Sequence, residues 1–202
     1  MSTPSPHPEI HQILEFVIEL DRLKGVARRI KPVGLDRYEN SAEHSWHICV
    51  LALLLARYFA EPVDLQRVLE ILLVHDIPEI DSGDQFFFSR DATATAAAEA
   101  VAAERIFGLL PAGEGQRLLA RWQEYEERQT PEARLAYAAD RLMPVLQNLR
   151  GGGQSWRENQ VPRERVKAMI HDALAQSCPA ILEVIEPLID SLYASGVVKD
   201  LP

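Results

Sequence analysis

The chain has 202 residues, enough for one domain with a substantial buried core. Its content of 47% hydrophobic and 25% charged residues is that of an ordinary folded protein and sets aside disordered and fibrous classes. A net charge of -9 argues against a nucleic-acid coat, which needs a basic face for phosphates, yet leaves room for a small anionic substrate gripped by a local cluster.

Met1 to Gln12 carries Pro4, Pro6 and Pro8 without an apolar core, so it reads as a mobile lead-in and not as a signal peptide. Ile10 to Val26 follows with Ile13, Leu14, Val17, Ile18 and Leu20 at helical spacing and Glu15, Glu19 and Asp21 facing away, an amphipathic helix. Between Ala27 and Asn40, Arg28, Arg29, Lys31 and Arg37 fall among Pro32 and Gly34. That basic segment reads either as a solvated loop or as a phosphate-binding loop in which arginine supplies paired donors.

Ser41 is placed to cap a helix running to about Ala60, apolar on nearly every side and therefore expected at the centre, with His44 and His47 on one face of its first turn. The stretch Ile48 to Phe59 is interrupted by Arg57 and is too short to span a bilayer, so no membrane partner is expected. Asp64 can cap a third helix that delivers Leu72-Leu73-Val74-His75-Asp76-Ile77-Pro78-Glu79 and then a turn with Gly83 and Asp84. His75 and Glu79 are one helical turn apart, and a buried helix end holding so many polar groups is costly unless something binds them.

Phe86-Phe87-Phe88 can line a pocket or simply pack. Ala92 to Leu110 is a helix by composition, with Glu99 and Glu104 as acids near a site, and Gly113 to Gly115 separates it from an apolar stripe of Leu118, Leu119, Trp122 and Tyr125. Thr130 and Pro131 open a helix through Leu135, Ala138, Ala139, Leu142, Met143 and Leu146, within which Asp140 either pairs with Arg134 or Arg141 or serves as a metal ligand. Gly151-Gly152-Gly153 is a flexible loop, discounted as a phosphate cradle because no strand precedes it. Two helices follow, Pro162 to Ser177 and Pro179 to Ser195, the second interrupted near Pro187. No alternating strand pattern occurs, so the fold class is all-α. Cys49 and Cys178, each in an apolar helical pattern, are expected as buried free thiols in a cytoplasmic protein.

His44, His75, Asp76 and Asp140 form an ordered set, and it resembles that of the HD-domain metal-dependent phosphohydrolases. The similarity is greatest to their 5'-deoxynucleotidase-like branch, through Glu43-His44-Ser45, His75-Asp76-Ile77-Pro78-Glu79, Gly83-Asp84 and Ala139-Asp140-Arg141, over roughly Ile13 to Arg150. The resemblance implies an HD-domain helical bundle: residues 10–150 as the metal-site core after a lead-in over 1–9, and 151–202 as a helical extension. It implies His44, His75, Asp76 and Asp140 as ligands of one divalent ion, Glu79 as the carboxylate that orients or deprotonates the attacking water, Asp84 as an assisting acid and Arg29 as the substrate-phosphate arginine. Where members of that branch place Trp after the arginine, this chain has Ile30.

A mixed nitrogen and oxygen shell suits Mn, Co, Fe, Zn, Ni or Mg in preference to calcium. The function expected is removal of phosphate from a small phosphomonoester, a (deoxy)nucleoside 5'-monophosphate first, by a homodimer. The competing expectations are a catalytically silent metal- and nucleotide-binding sensor and a helical scaffold whose polar residues pair internally.

Overall fold

The computed structural model describes residues 7–88 and 92–200, and among these the only β pairing is an isolated bridge between Ala27 and Asn40. The order is α1 (Pro8–Glu19), a 3-10 segment (Leu20–Gly25), α2 (Ser41–Leu55), α3 (Leu65–Val74), α4 (Glu79–Ser82), α5 (Ala92–Phe107), α6 (Ala112–Glu127), α7 (Pro131–Arg150), α8 (Gln154–Glu158), α9 (Arg163–Leu174) and α10 (Pro179–Ala194). The all-α class holds. Of the proline-rich lead-in, residues 1–6 lie outside the described residues, and regular helix already begins at Pro8.

Two apolar clusters organise the bundle. The larger joins Ile48 and Ala52 of α2, Ile71 and Leu72 of α3, Leu135 and Leu142 of α7, Ile170 and Leu174 of α9, and Ile189 of α10. The smaller joins Phe16 of α1, Val74, Ile77 and Ile80 around α4, Ile106 and Phe107 of α5, and Trp122 of α6. Leu72 belongs to one cluster and Val74 to the other, so the chain crosses the seam between them just before His75. Helices α9 and α10 share the larger core instead of standing off it.

Several local expectations are corrected. Asn40, not Ser41, caps α2: its side chain accepts from Glu43 N–H while the Glu43 carboxylate accepts from Asn40 N–H, a closed capping box. Ser41 is thereby free to turn inward. Helix α2 is not central, since Trp46 and Leu54 are each 64% exposed with Val50 and Leu53 beside them, and in α1 only Phe16 is buried. The α-helical part of that first segment stops at Glu19 and tightens to 3-10. Gly113 and Gly115 lie inside the first turn of α6, where a Cβ on Gly115 would stand 2.5 Å from the Phe107 carbonyl, so glycine permits the close α5–α6 corner. Helix α10 continues through Pro187. Cys178, which is buried, precedes α10 at its N-cap, and Cys49 is half-buried; both are free.

Asp64 and Thr130 cap α3 and α7 as the sequence indicates. Within α7, Pro144 has no N–H to offer the Asp140 carbonyl one turn back, a local interruption beside the site.

Candidate metal centre

His44 enters from the first turn of α2, His75 from the C-cap of α3, and Asp140 from the middle of α7. One ligand atom from each lies within 4.8 Å of the other two, and all three residues are buried. His44 Nε2 is 2.9 Å and His75 Nε2 4.0 Å from the same oxygen, Asp140 Oδ1.

Asp140 turns its two oxygens to different neighbours, and Arg141 is one of them. Its Oδ2 accepts from the Tyr125 hydroxyl and pairs with Arg141 Nη2 at 2.7 Å, while Oδ1 faces the two imidazoles. Burial alone would raise the Asp140 pKa, but Arg141 and His44 outweigh it and hold the carboxyl well below the ordinary range. Arg134, the other partner considered, pairs instead with Glu61 on the surface.

Each histidine is oriented by the nitrogen turned away from Asp140. His75 Nδ1 lies 2.8 Å from the Leu72 carbonyl, which can only accept, so the ring proton sits there and the Nε2 lone pair is left for a ligand. That Nε2 is buried and completes no hydrogen bond, an orphaned donor atom aimed at the trio. With two imidazole nitrogens and a carboxylate oxygen converging, the residues fit a first-row divalent cation. His44 Nδ1 lies 3.3 Å from Glu39 Oε2.

Asp76 stands beside the trio. Its Oδ1 is 3.0 Å from His75 Nε2, and its Oδ2 takes a bond from Arg28 Nη1 at 3.1 Å. Burial works to raise its pKa, and His75 and Arg28 more than offset that, leaving it lowered. Arg28 Nη1 also lies 3.5 Å from Asp84 Oδ1. Gly83, at φ +72°, turns the chain after α4 so that Asp84 comes back toward this arginine.

Glu79 opens α4 and accepts a 2.6 Å bond from the Ser41 hydroxyl on Oε2. Burial and the neighbouring Asp76 charge push its pKa well above the glutamate norm, and burial raises Asp84 too. Arg29 is exposed at the rim, its Nη1 3.4 Å from Asn159 Oδ1. His47 is apart from the centre and stacks on Trp46.

His75, Asp76, Glu79, Asp84 and Asp140 line a cavity of about 970 Å³, counting its open mouth, and His44 is fully buried outside that lining. Arg28, Arg29 and Ile30 also line it, as do Phe86, Phe87 and Phe88, which pack against the apolar cluster that contains Trp156 and Met169. Glu99 lines it as well, whereas Glu104 is exposed on α5. Ser89, Arg90 and Asp91, which follow the three phenylalanines, are outside the described residues. The C-terminal segment thus supplies a wall: Asn148 Oδ1 accepts the Ser155 and Trp156 N–H groups and hangs α8 over the cavity.

Sequence reasoning overlooked Glu39, Arg28 as the arginine at the carboxylates, Tyr125 and Gln147. Tyr125 was visible only as part of an apolar stripe, and its hydroxyl gives no periodic signal. Arg28 and Arg29 are adjacent, and only the backbone pairing that closes the 27–40 loop, Arg28 N–H to Glu39 O at 2.8 Å and Glu39 N–H to Ile30 O at 2.8 Å, decides which one turns inward.

A buried centre of two histidines and a carboxylate in an all-helical bundle has the residues of a divalent-metal site. Residues 20–182 match the model of the HD domain, and the chain belongs to the HD-domain family of metal-dependent phosphohydrolases. A predicted metal-dependent phosphohydrolase from Magnetospirillum magnetotacticum MS-1 superposes with a TM-score of 0.85 at 37% identity, over 95% of this chain and 98% of that one. The 5'-deoxynucleotidase YfbR of Escherichia coli O1:K1 is 26% identical over 85% of this chain and 90% of its own length. The 5'-deoxynucleotidase HDDC2 of Danio rerio is 26% identical over 66% of this chain and 68% of its own. No helix among the described residues is long and apolar enough to cross a membrane.

Proposed function

We propose that this chain hydrolyses a small phosphomonoester, with (deoxy)nucleoside 5'-monophosphates as the substrate class, to alcohol and inorganic phosphate. The observation that carries the reading is the convergence of the His44, His75 and Asp140 ligand atoms at a cavity that His75 and Asp140 line together with two arginines and three phenylalanines. The shared name of the Escherichia coli and Danio rerio relatives favours the nucleotide class.

In this reading His44, His75 and Asp140 would hold the cation, with Asp76 joining them. A divalent ion there (Mn, Co, Fe, Zn, Ni or Mg) would offset charge on the phosphoryl group and make an attacking water more acidic. Arg28 and Arg29 take phosphate oxygens through their forked donors, Arg28 exchanging carboxylate partners for substrate. Glu79, steadied by Ser41, accepts a proton from the water as its oxygen bonds to phosphorus. Asp84, which shares Arg28 Nη1 with Asp76, gives a proton to the leaving alcohol oxygen as the phosphorus-oxygen bond breaks. The two carboxyl groups then re-equilibrate through solvent.

Protein reloaded with Mn or Co should release phosphate from nucleoside 5'-monophosphates. Glu79→Gln should abolish release with metal content unchanged, which separates an enzyme from a silent binder. Metal-loaded protein inert toward a broad phosphomonoester panel would refute hydrolysis, and activity confined to sugar phosphates would refute the nucleotide class.

The same reading makes the protein a cytoplasmic homodimer of single-domain subunits. Two free thiols suit a reducing compartment, and the exposed stripe of Trp46, Val50, Leu53 and Leu54 on α2 suits a second copy. Light scattering should return twice the chain mass, and Leu54→Glu should halve it; a monomeric parent would exclude the dimer.

A further inference from the structure

Six buried side-chain polar atoms lack a hydrogen-bond partner among the described residues, and four of them gather behind His44. They are Glu39 Oε2, His44 Nδ1, Arg28 Nε and Gln147 Oε1. Glu39 is the common neighbour. Its Oε2 lies 3.3 Å from His44 Nδ1 and 3.6 Å from Arg28 Nε, and its Oε1 accepts a 2.6 Å bond from Gln147 Nε2. The residue is 2% exposed, so its charge stands in a place where an unpaired carboxylate is costly.

We propose that Glu39 is a positioning residue that sets His44 for the cation and Arg28 for the phosphate, coupling the two binding events through one carboxylate oxygen. The inference rests on the reading of the trio as a metal site. His75 has a backbone carbonyl to hold its Nδ1 proton; among the described residues His44 has only Glu39 in that role. A proton kept on His44 Nδ1 leaves Nε2, the atom facing Asp140 Oδ1, with its lone pair directed at the cation.

The same Oε2 faces Arg28, whose other end reaches Asp76 and Asp84. When a phosphate draws Arg28 Nη1 off those carboxylates, Nε remains tethered to Glu39, so the guanidinium pivots and does not swing free. Backbone pairing of Glu39 with both Arg28 and Ile30 fixes the tether, and Gln147 on α7 fixes the carboxylate from behind. Shared contact with a metal ligand and a phosphate ligand is what thermodynamic coupling requires.

The test is titration of the cation-free protein with Co(II), read by visible absorbance, and of the Co(II)-loaded protein with inorganic phosphate. Glu39→Ala should weaken Co(II) binding by about 10–100-fold, with the isosteric Glu39→Gln falling between it and the parent. Gln147→Leu, which leaves Glu39 in place but unbraced, should weaken it less. Phosphate affinity of the loaded variants should drop too, and the 15N shift of His44 Nδ1 should move in Glu39→Gln. If Glu39→Ala does not fold, Glu39→Gln and Gln147→Leu carry the test.

Co(II) affinity within about twofold of the parent in folded variants would overturn the proposal, and weakened Co(II) binding with undiminished phosphate binding would overturn its Arg28 half. A parent that takes up no Co(II) would remove the metal reading itself, which is a different failure.

Discussion

Replacing Asp140 with Asn changes one atom and strands three neighbours. As drawn by the hydrogen bonds, Oδ2 receives two donors, the Tyr125 hydroxyl and Arg141 Nη2, while Oδ1 faces His44 Nε2. An amide offers one acceptor where two are needed, so either its NH2 opposes Tyr125 and Arg141 or it occupies the side toward the imidazoles. Either way Arg141, only 18% exposed and with its Nε already unpaired, loses its counter-charge. Breaking a buried pair from one side costs about 3–5 kcal/mol, and the lower end applies because the amide oxygen still satisfies one donor. For a chain of this size each kcal/mol moves the melting point by roughly 2–4 °C, so cation-free Asp140→Asn should melt about 6–12 °C below the parent. It should also bind Co(II) too weakly to survive desalting. Calorimetry on stripped protein and metal analysis after gel filtration measure the two effects. A melting point within about 2 °C of the parent would mean that Asp140 lacks the pairing role assigned to it, and full metal retention that it lacks the ligand role.

Three further outcomes follow from the same geometry. Glu79 keeps its proton in the folded protein to a higher pH than in the unfolded chain, so the stability tied to that proton is complete below the unfolded pKa and lost as pH rises through the folded one. Cation-free Glu79→Gln should therefore melt higher than the parent at about pH 8, by on the order of 1 kcal/mol, and equally at about pH 4; no difference at the higher pH would refute it. Tyr125→Phe removes a donor to a charged acceptor and should cost about 1.5–3 kcal/mol in denaturant titrations, with a cost near zero showing the hydroxyl idle. Arg28→Met should raise KM for a phosphomonoester at least about tenfold with cation content retained, and an unchanged KM would assign the phosphate to Arg29 alone.

How much of this was written in the sequence depends on the kind of signal each residue leaves. His44, His75 and Asp140 were legible because residue type and order identify them even across 96 positions, and the helices carrying them bear plain caps and apolar periods. Glu39 was not, because a glutamate at the end of a basic loop looks like any solvated acid. Its importance comes from a two-bond backbone pairing that no periodicity reports. The first helix shows the converse limit. Periodicity grouped Ile13, Leu14, Val17 and Ile18 as the apolar face of α1, but periodicity says nothing about what covers a face: Ile18 is 69% exposed, and the residue that is buried, Phe16, lies outside that set. The Asn40 cap was missed by one residue, a small displacement that turns Ser41 from a cap into the support of Glu79.

Helix α7 bears three dissimilar duties along one rod: Asp140 at the ions' end, Gln147 bracing Glu39, and Asn148 suspending α8. Asp140 and Asn148 are eight residues apart, about 12 Å of helix rise, so this rod sets the span between the histidine and carboxylate cluster and the α8 residues that line the same cavity. Altering the residues that dangle from Asn148 would resize that cavity while leaving the cluster untouched. Lengthening α7 by a residue would instead rotate every one of its three attachments at once.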